Sequence, residues 1–299
     1  MSIIPTPETI AAGQERAIAR AISWVENQHP SALELLEQLQ GRTPVIGITG
    51  PPGAGKSSLV NALALYWSSQ NLKTAIVAVD PSSPFNLGSL LGDRLRMPGL
   101  FLDPNVYIRS VSARGSLGGL CASIIEICDV LKHAQFDHII IETVGVGQSE
   151  IEIAGIADTT VVVTVPESGD EVQTLKSGIM EIADIFVVNK SDREGAEAFA
   201  NHLKKLAHYR MGNGAWESPV VNTVAMEGVG IQALSDAIEK HQQQGISNDR
   251  KETLLADKVL RLVQRHRMQD LSIPSIKQQL TIEMKSGNFN LYRFAKKYF

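Results

Sequence analysis

Cysteine is scarce: Cys121 and Cys128 are the only two in 299 residues, too few for a disulfide framework or a thiolate metal cluster. They lie about two turns apart in an apolar stretch that reads as helix, and are expected to pack as small hydrophobes. Long apolar runs are missing as well. No stretch approaches the roughly 20 residues of a membrane span, and the N-terminus lacks the basic region, apolar run and small-residue cleavage site of a secretory signal. A cytoplasmic protein with no membrane partner is expected. Nor is there an excess of positive charge. Thirty-two acidic residues against 28 basic ones give a net charge of −4, and no dense Lys/Arg block occurs, so nucleic acid is not the expected partner. Internal repeats and low-complexity tracts are also lacking.

What is present is an ordinary globular composition, 43% hydrophobic and 20% charged, sufficient for one large α/β core and a smaller appendage. Between Pro7 and Gln40, apolar positions recur at helical spacing (Ile10, Ala17, Ile18, Ile22, then Leu33, Leu35, Leu36, Leu39). They predict two short helices separated by Pro30, the second opened by a capping box of Ser31 and Glu34. From Pro44 the texture changes to short β-branched runs alternating with helical patterns: Val45 to Thr49, Thr74 to Val79, His138 to Ile141, Thr160 to Val165 and Ile185 to Val188. These runs are almost wholly apolar, as strands covered on both faces must be, so the expected fold is α/β with a mostly parallel sheet and helices on both faces. Ligands of such sheets sit at the carboxyl ends of the strands. A polar stretch, Gln242 to Arg250, reads as a linker, and a helical tail follows. The tail carries Leu254, Leu255, Val259, Leu260 and Val263 on one helical face, then Pro274, Ile276, Leu280, Ile282 and Met284 in a second segment. The expected organisation is a helical extension over 1–42, an α/β domain over 43–242 and the tail over 243–299.

The first run leads straight into Gly50-Pro51-Pro52-Gly53-Ala54-Gly55-Lys56-Ser57-Ser58, with a helical pattern from Leu59 to Trp67 behind it. This is a P-loop in its required strand-to-helix setting. Its glycines let consecutive backbone N–H groups turn toward phosphate oxygens, Lys56 reaches the outer phosphates, and the Ser57 hydroxyl can meet Mg²⁺. The base is chosen elsewhere. Val187 and Val188 end an apolar run and lead into Asn189-Lys190-Ser191-Asp192, an N-K-x-D element. A carboxylate at Asp192 can accept from both guanine N1–H and the exocyclic amine, a donor pair that adenine does not present. A site built on paired hydrogen bonds rejects analogues that leave its acceptors unpaired.

Two more strand ends, and a segment beyond the first of them, carry carboxylates. Asp80 ends the run from Thr74 and precedes Pro81-Ser82-Ser83-Pro84; Gly92-Asp93-Arg94 offers a second acid. Each is a metal candidate or a loop cap. Glu142-Thr143-Val144-Gly145 follows the run from His138. There Glu142 can hold Mg²⁺ directly or through water, and Gly145 lets a backbone N–H approach the γ-phosphate. Val146 stands directly after Gly145 and the first glutamine is Gln148. With no water-orienting glutamine in the adjacent position, unaided hydrolysis is expected to be slow. Arg94, Arg109 and Arg114 are candidates for phosphate contact or partner signalling, or solvated surface charges.

Taken together, GPPGAGKSS from Gly50, VDPSSP from Val79, GDR from Gly92, RGSLGG from Arg114, ETVGVGQSE from Glu142, SGDEVQ from Ser168 and NKSD from Asn189 resemble the methylmalonyl-CoA mutase-associated G proteins, the MeaB/ArgK family. The resemblance covers about residues 1 to 240. It implies a P-loop GTPase of the metallochaperone-related class that forms homodimers and serves adenosylcobalamin-dependent acyl-CoA mutases, gating cofactor loading and protecting the mutase. Carried onto this chain, Gly50 to Ser58 cradle GTP or GDP; Ser57, Asp80, Asp93 and Glu142 serve Mg²⁺; Lys56, Asp93 and Glu142 are catalytic; and Asp192 reads guanine. Pro166 to Lys176 corresponds to an additional switch loop, and the tail contributes to dimerisation. Two departures stand out. Val224-Ala225-Met226 occupies the loop supporting the base, where the family usually has a Ser-Ala pair, and the tail lacks the family's Trp-rich stretch.

Other functions share this architecture. A kinase of the transport-system kinase label would need a base beside its acceptor. A nickel-insertion GTPase would need soft or imidazole ligands, which seven scattered histidines and two cysteines do not gather. A structural adaptor would bind GTP without turnover.

Overall fold

The computed structural model describes residues 3–80, 97–100, 102–112, 123–143, 152–166, 178–209, 216–245, 249–268, 271–285 and 289–298. Seven described strands form one sheet: β1 (Val45–Thr49), β2 (Thr74–Asp80), β3 (Val106–Ser112), β4 (His138–Glu142), β5 (Thr159–Thr164), β6 (Ile185–Asn189) and β7 (Val220–Thr223). Their order is β3-β2-β4-β1-β5-β6-β7, and every neighbouring pair is parallel. The chain moves from β1 to one side through β2, β3 and β4, then crosses to β5 on the other. The carboxyl end of β1 is therefore a topological switch point, where two crossovers diverge and leave a crevice.

The expected all-apolar strands are the central ones, and the reason is burial from both sides. Every residue of β1, β4, β5 and β6 is buried. Ile46, Ile48, Ile76, Ile140, Val161, Val163, Ile185 and Val187 pack on one face against α4 (Lys56–Ser69) and α8 (Ile231–Gln243). Successive strand residues alternate faces, so Val188 points the other way, into a cluster with Phe199, Ala200 and Leu203 of α7 (Ala196–Tyr209). Helices thus cover both faces; α5 (Ile124–His133) and the short α6 (Ile179–Ile182) also lie between strands in chain order. The sequence reading passed over β3 and β7. Both are edge strands; β3 is mostly half-buried and β7 mixes half-buried, buried and exposed positions, so neither reads as an apolar run.

Before β1 lie three short helices rather than two: α1 (Pro7–Ala11), α2 (Glu15–Glu26) and α3 (Ala32–Leu36). Gly13, at φ +70, separates the first two. The capping box sits on α1, where Thr6 and Thr9 bond each other's backbone N–H. Ser31 makes no side-chain cap; its φ −82 and ψ 1 are far from the extended geometry that aims an N-cap oxygen at the first turn. Leu33 is correspondingly exposed while Leu35 is buried. Arg109 on β3 donates to Ser23 Oγ at 3.2 Å and pairs with the Glu26 carboxylate. It fastens the edge strand to α2.

His138, at the foot of β4, shows how deeply this core reaches. Its ring stacks on Trp67 at 3.9 Å, and its buried Nδ1 finds no hydrogen-bond partner among the described residues. Burial depresses its pKa below the ordinary histidine value, an effect partly offset by Asp137. The unfolded chain therefore binds the proton more readily, and folding stability is lost as pH falls below about 6.5. Thermal unfolding between pH 7.5 and 5.5 should show a smaller loss of midpoint for His138→Phe than for the parent, since phenylalanine keeps the stack and cannot titrate.

The chain divides into one unit over residues 1–251 and a second over 252–299. Helix α8 continues to Gln243 and α9 (Asp249–Arg267) begins at Asp249, so the expected polar linker is shorter than its composition suggested. The second unit continues through α10 (Ile273–Met284) and α11 (Leu291–Ala295). Phe294 is buried there, with Phe289 and Tyr298 rings 6.1 and 5.6 Å away. The Tyr298 hydroxyl donates to Gln279 at 2.7 Å, and Lys297 pairs with Glu283. Leu255, Val259, Leu260 and Val263 of α9 remain exposed. Among the described residues no helix is long and apolar enough to cross a membrane.

Candidate functional site

Strand β1 passes into a turn whose glycines are required by close contact as well as by conformation. Gly50 has φ +139, and a Cβ there would lie 2.1 Å from the Val163 carbonyl oxygen of the neighbouring strand. Gly55 has φ +87, and a Cβ there would meet Asn189 Nδ2 at 2.3 Å. A Cβ at Gly50 would displace the sheet, and one at Gly55 would push the Asn189 amide aside while holding a φ that few other residues adopt. Gly55 is the N-cap of α4 and supplies no side-chain acceptor. The first turn of α4 therefore presents its backbone N–H groups beside the loop, the arrangement that receives phosphate.

Lys56 is the first residue of α4 and is only 6% exposed. Its ammonium donates to the carbonyl oxygens of Gly50 and Pro51 at 2.8 and 3.0 Å, which holds a buried cation over the loop. Ser57 Oγ donates to Glu142 Oε1 at 2.6 Å. The two groups come from different elements, α4 and the end of β4, and Glu142 is nearly fully buried. Its register partner on β1 is Ile48. A hydroxyl and a carboxylate this close form a pair of hard oxygens, and Mg²⁺ takes one or two such protein ligands beside phosphate and water oxygens. The donor set fits that ion. Groups of three or more His, Cys, Asp or Glu able to hold a metal are absent among the described residues.

The Asn189–Asp192 loop is joined to the Gly50–Ser58 turn through one side chain. Asn189, 2% exposed, donates from Nδ2 to the Ala54 carbonyl oxygen at 2.9 Å. Its Oδ1 accepts from Thr223 Oγ1 at 3.1 Å and from the Ala225 N–H at 3.2 Å. Lys190 adds a second tie, from Nζ to the Gly53 carbonyl oxygen at 2.8 Å, with its backbone at φ +56. Asp192 is exposed, two residues further on. Val224 pairs with Val229 across a tight turn, with 3.1 and 3.3 Å bonds in the two directions; Ala225 is buried and Met226 is 85% exposed. The side-chain hydroxyl missing at Val224 has a neighbour in Thr223, but that hydroxyl is turned to Asn189. Sequence reasoning did not single out Thr223; its only signal was its place at a strand end directly before Val224.

Several expected positions lie elsewhere. Asp80 ends β2, in register with Ser112, and its side chain is outside the described residues. Asp93, Gly145, Arg94, Arg114, Gln148, Cys121 and residues 167–176 of the expected switch loop also lie outside them. Cys128 is buried, as expected of a small hydrophobe. Arg109 is engaged with α2.

Comparison with known proteins places this geometry in context. The family described as "Methylmalonyl Co-A mutase-associated GTPase MeaB" matches residues 18–278. "GTPase ArgK" of Escherichia coli is 38% identical over 237 residues, covering 76% of this chain and 72% of the relative. "Methylmalonic aciduria type A homolog, mitochondrial" of Mus musculus is 35% identical over 257 residues, covering 79% of this chain and 62% of the relative. Among solved structures, a "LAO/AO transport system kinase" superposes with a TM-score of 0.69 at 25% identity, covering 98% of this chain and 94% of that one.

Proposed function

The chain belongs to the methylmalonyl-CoA mutase-associated GTPase family, and from that premise we propose that it binds GTP with Mg²⁺, hydrolyses it slowly, and gates adenosylcobalamin loading and protection of an acyl-CoA mutase. The observation that carries the nucleotide reading is the joining of two loops: Asn189 spans from Ala54 to Ala225, while Lys56 and the Ser57–Glu142 pair stand on the phosphate side. The turn from Gly50 to Ser58 grips the phosphates, and Asp192 accepts from guanine. Val224, Ala225 and Met226 line the base. The Ser57 hydroxyl and the Glu142 carboxylate would hold Mg²⁺, with Asp80 and Asp93 as further carboxylates. When bound, the ion would supply charge neutralisation to the phosphoryl group being transferred.

In hydrolysis a water oxygen forms a bond to the γ-phosphorus, the bond to the β,γ-bridging oxygen breaks, and GDP and phosphate leave. Lys56 stabilises the negative charge that gathers on the phosphate oxygens. The mutase role is supported by the family description and by the name of the mouse relative. The exposed apolar face of α9 suits a homodimer contact, and a cytoplasmic setting suits the composition.

Glu142→Gln tests the site. The variant should lose Mg²⁺-dependent hydrolysis by roughly 10- to 100-fold, the scale of disturbing groups around a metal; unchanged turnover would place the chemistry elsewhere. The partner is tested by pull-down with a GTP analogue, followed by hydrolysis rates with and without the candidate mutase. The solved relative named as a transport-system kinase supports a second reading, transfer of the phosphate to an acceptor. With radiolabelled GTP, free phosphate supports hydrolysis, whereas label on a protein or metabolite supports the kinase.

A further inference from the structure

Strands β1 and β4 reach their carboxyl ends side by side, with Ile48 next to Glu142. Beyond that last register pair the contact continues through Thr143, whose N–H donates to the Ile48 carbonyl oxygen at 3.0 Å. Its hydroxyl donates to Thr49 Oγ1, also at 3.0 Å. Both threonines are inaccessible, Thr49 at 0% and Thr143 at 2% exposure. A parallel strand end covered on both faces accepts valine readily, and a buried hydroxyl is costly unless hydrogen-bonded. The sheet itself therefore calls for neither hydroxyl.

Their sequence neighbours give the pair a use. Thr49 directly precedes Gly50, and Thr143 directly follows Glu142, whose Oε1 sits 2.6 Å from Ser57 Oγ. The carboxylate and the serine hydroxyl ride on separate elements, so their separation depends on how the ends of β1 and β4 are held laterally. Strand ends fray where the ladder stops, and the Thr49–Thr143 bond is a cross-strand tie at that place. We propose that the Thr143–Thr49 hydroxyl pair fixes the Glu142 carboxylate opposite Ser57, which makes Thr143 a positioning residue for Mg²⁺-dependent hydrolysis. The inference rests on the GTPase reading given above. It assigns no contact with nucleotide to either threonine.

The test uses the full chain and three variants, Thr143→Val, Thr143→Ser and Thr49→Val, with hydrolysis measured against Mg²⁺ concentration and GDP affinity measured in the presence of a chelator. Thr143→Val should need about 10-fold more Mg²⁺ for half-maximal rate and turn over about 10-fold more slowly, as sub-ångström misplacement of a catalytic geometry does. Its GDP affinity without Mg²⁺ should stay within about 2-fold of the parent, because the phosphate loop is untouched. Thr143→Ser, which keeps the hydroxyl, should recover the parent's Mg²⁺ requirement. Thr49→Val should reproduce the defect, which keeps the question open to measurement if Thr143→Val does not fold. A Thr143→Val protein with the parent's Mg²⁺ requirement would overturn the inference, as would a Thr143→Ser protein equally impaired, since the methyl packing would then be what matters. Metal-free GDP affinity falling in step with the rate would overturn it too. A parent without Mg²⁺-dependent hydrolysis would bring down the functional reading, whereas a normal parent with a normal Thr143→Val brings down this inference alone.

Discussion

Replacing Lys56 with alanine should slow GTP hydrolysis by about 10²- to 10³-fold, the effect of deleting one preorganised donor aimed at developing charge. The expectation comes from where the ammonium stands. Lys56 is nearly buried and reaches back over the loop to the Gly50 and Pro51 carbonyl oxygens. From there it can pass to a phosphate oxygen with little motion of the α4 backbone that carries it. A cation as buried as this one is worth more than the same charge in solvent. Arginine should not rescue the loss. Its planar guanidinium is larger than the ammonium and does not fit a place defined by two backbone carbonyls. Single-turnover assays at saturating GTP would separate slowed chemistry from weakened binding. A Lys56→Ala protein with the parent's rate would remove the phosphate loop from the mechanism.

A larger change is expected in which base the protein selects. Asp192→Asn should lower GTP affinity by about 10²- to 10⁴-fold, because the new amide turns an N–H donor toward guanine donors and leaves them unpaired. ATP affinity should not improve. Xanthosine triphosphate should gain instead: its 2-carbonyl accepts where the guanine amine donates, so the asparagine amide can meet N1–H with its oxygen and the carbonyl with its nitrogen. The substitution is nearly isosteric at an exposed position, and folding should be unaffected. Competition binding with GTP, ATP and xanthosine triphosphate reads all three outcomes together. Asp192→Asn binding GTP as the parent does would mean that another group reads the base.

The central strands and the phosphate loop were legible in the sequence because each obeys a strict local constraint. β1, β4, β5 and β6 are covered on both faces, and their polar side chains are confined to the strand ends. The loop needs glycine at Gly50, against the Val163 carbonyl, and at Gly55, whose φ of +87 few other residues adopt. Edge strands obey no such rule. Tyr107, Arg109 and Ser110 in β3, and Asn222 in β7, are half-buried or exposed, so those runs carried no clear period. The N-terminal reading failed in a similar way. Ser31 and Glu34 have the right spacing for a capping box, but spacing does not fix the φ and ψ of Ser31, while the Thr6–Thr9 box was overlooked.

Side-chain partnerships across the sheet were the least legible. Asn189 belongs to a recognisable N-K-x-D element, yet its amide ties Ala54 to Thr223 and Ala225. Three segments far apart in sequence meet there, and no local pattern encodes that meeting. The Arg109–Glu26 pair is the same kind of case: the arginine looked like a candidate for phosphate or partner contact, and the fold gives it to α2. Thr49 and Thr143 looked like ordinary β-branched strand residues until the register of β1 and β4 set them together.

Calorimetric titration of the full chain with GTP and with ATP, each with Mg²⁺ present, tests the central claim most directly. GTP should bind with ATP at least about 100-fold weaker, as a site reading two adjacent donors requires. Equal affinity for the two nucleotides, or binding of neither, would contradict it.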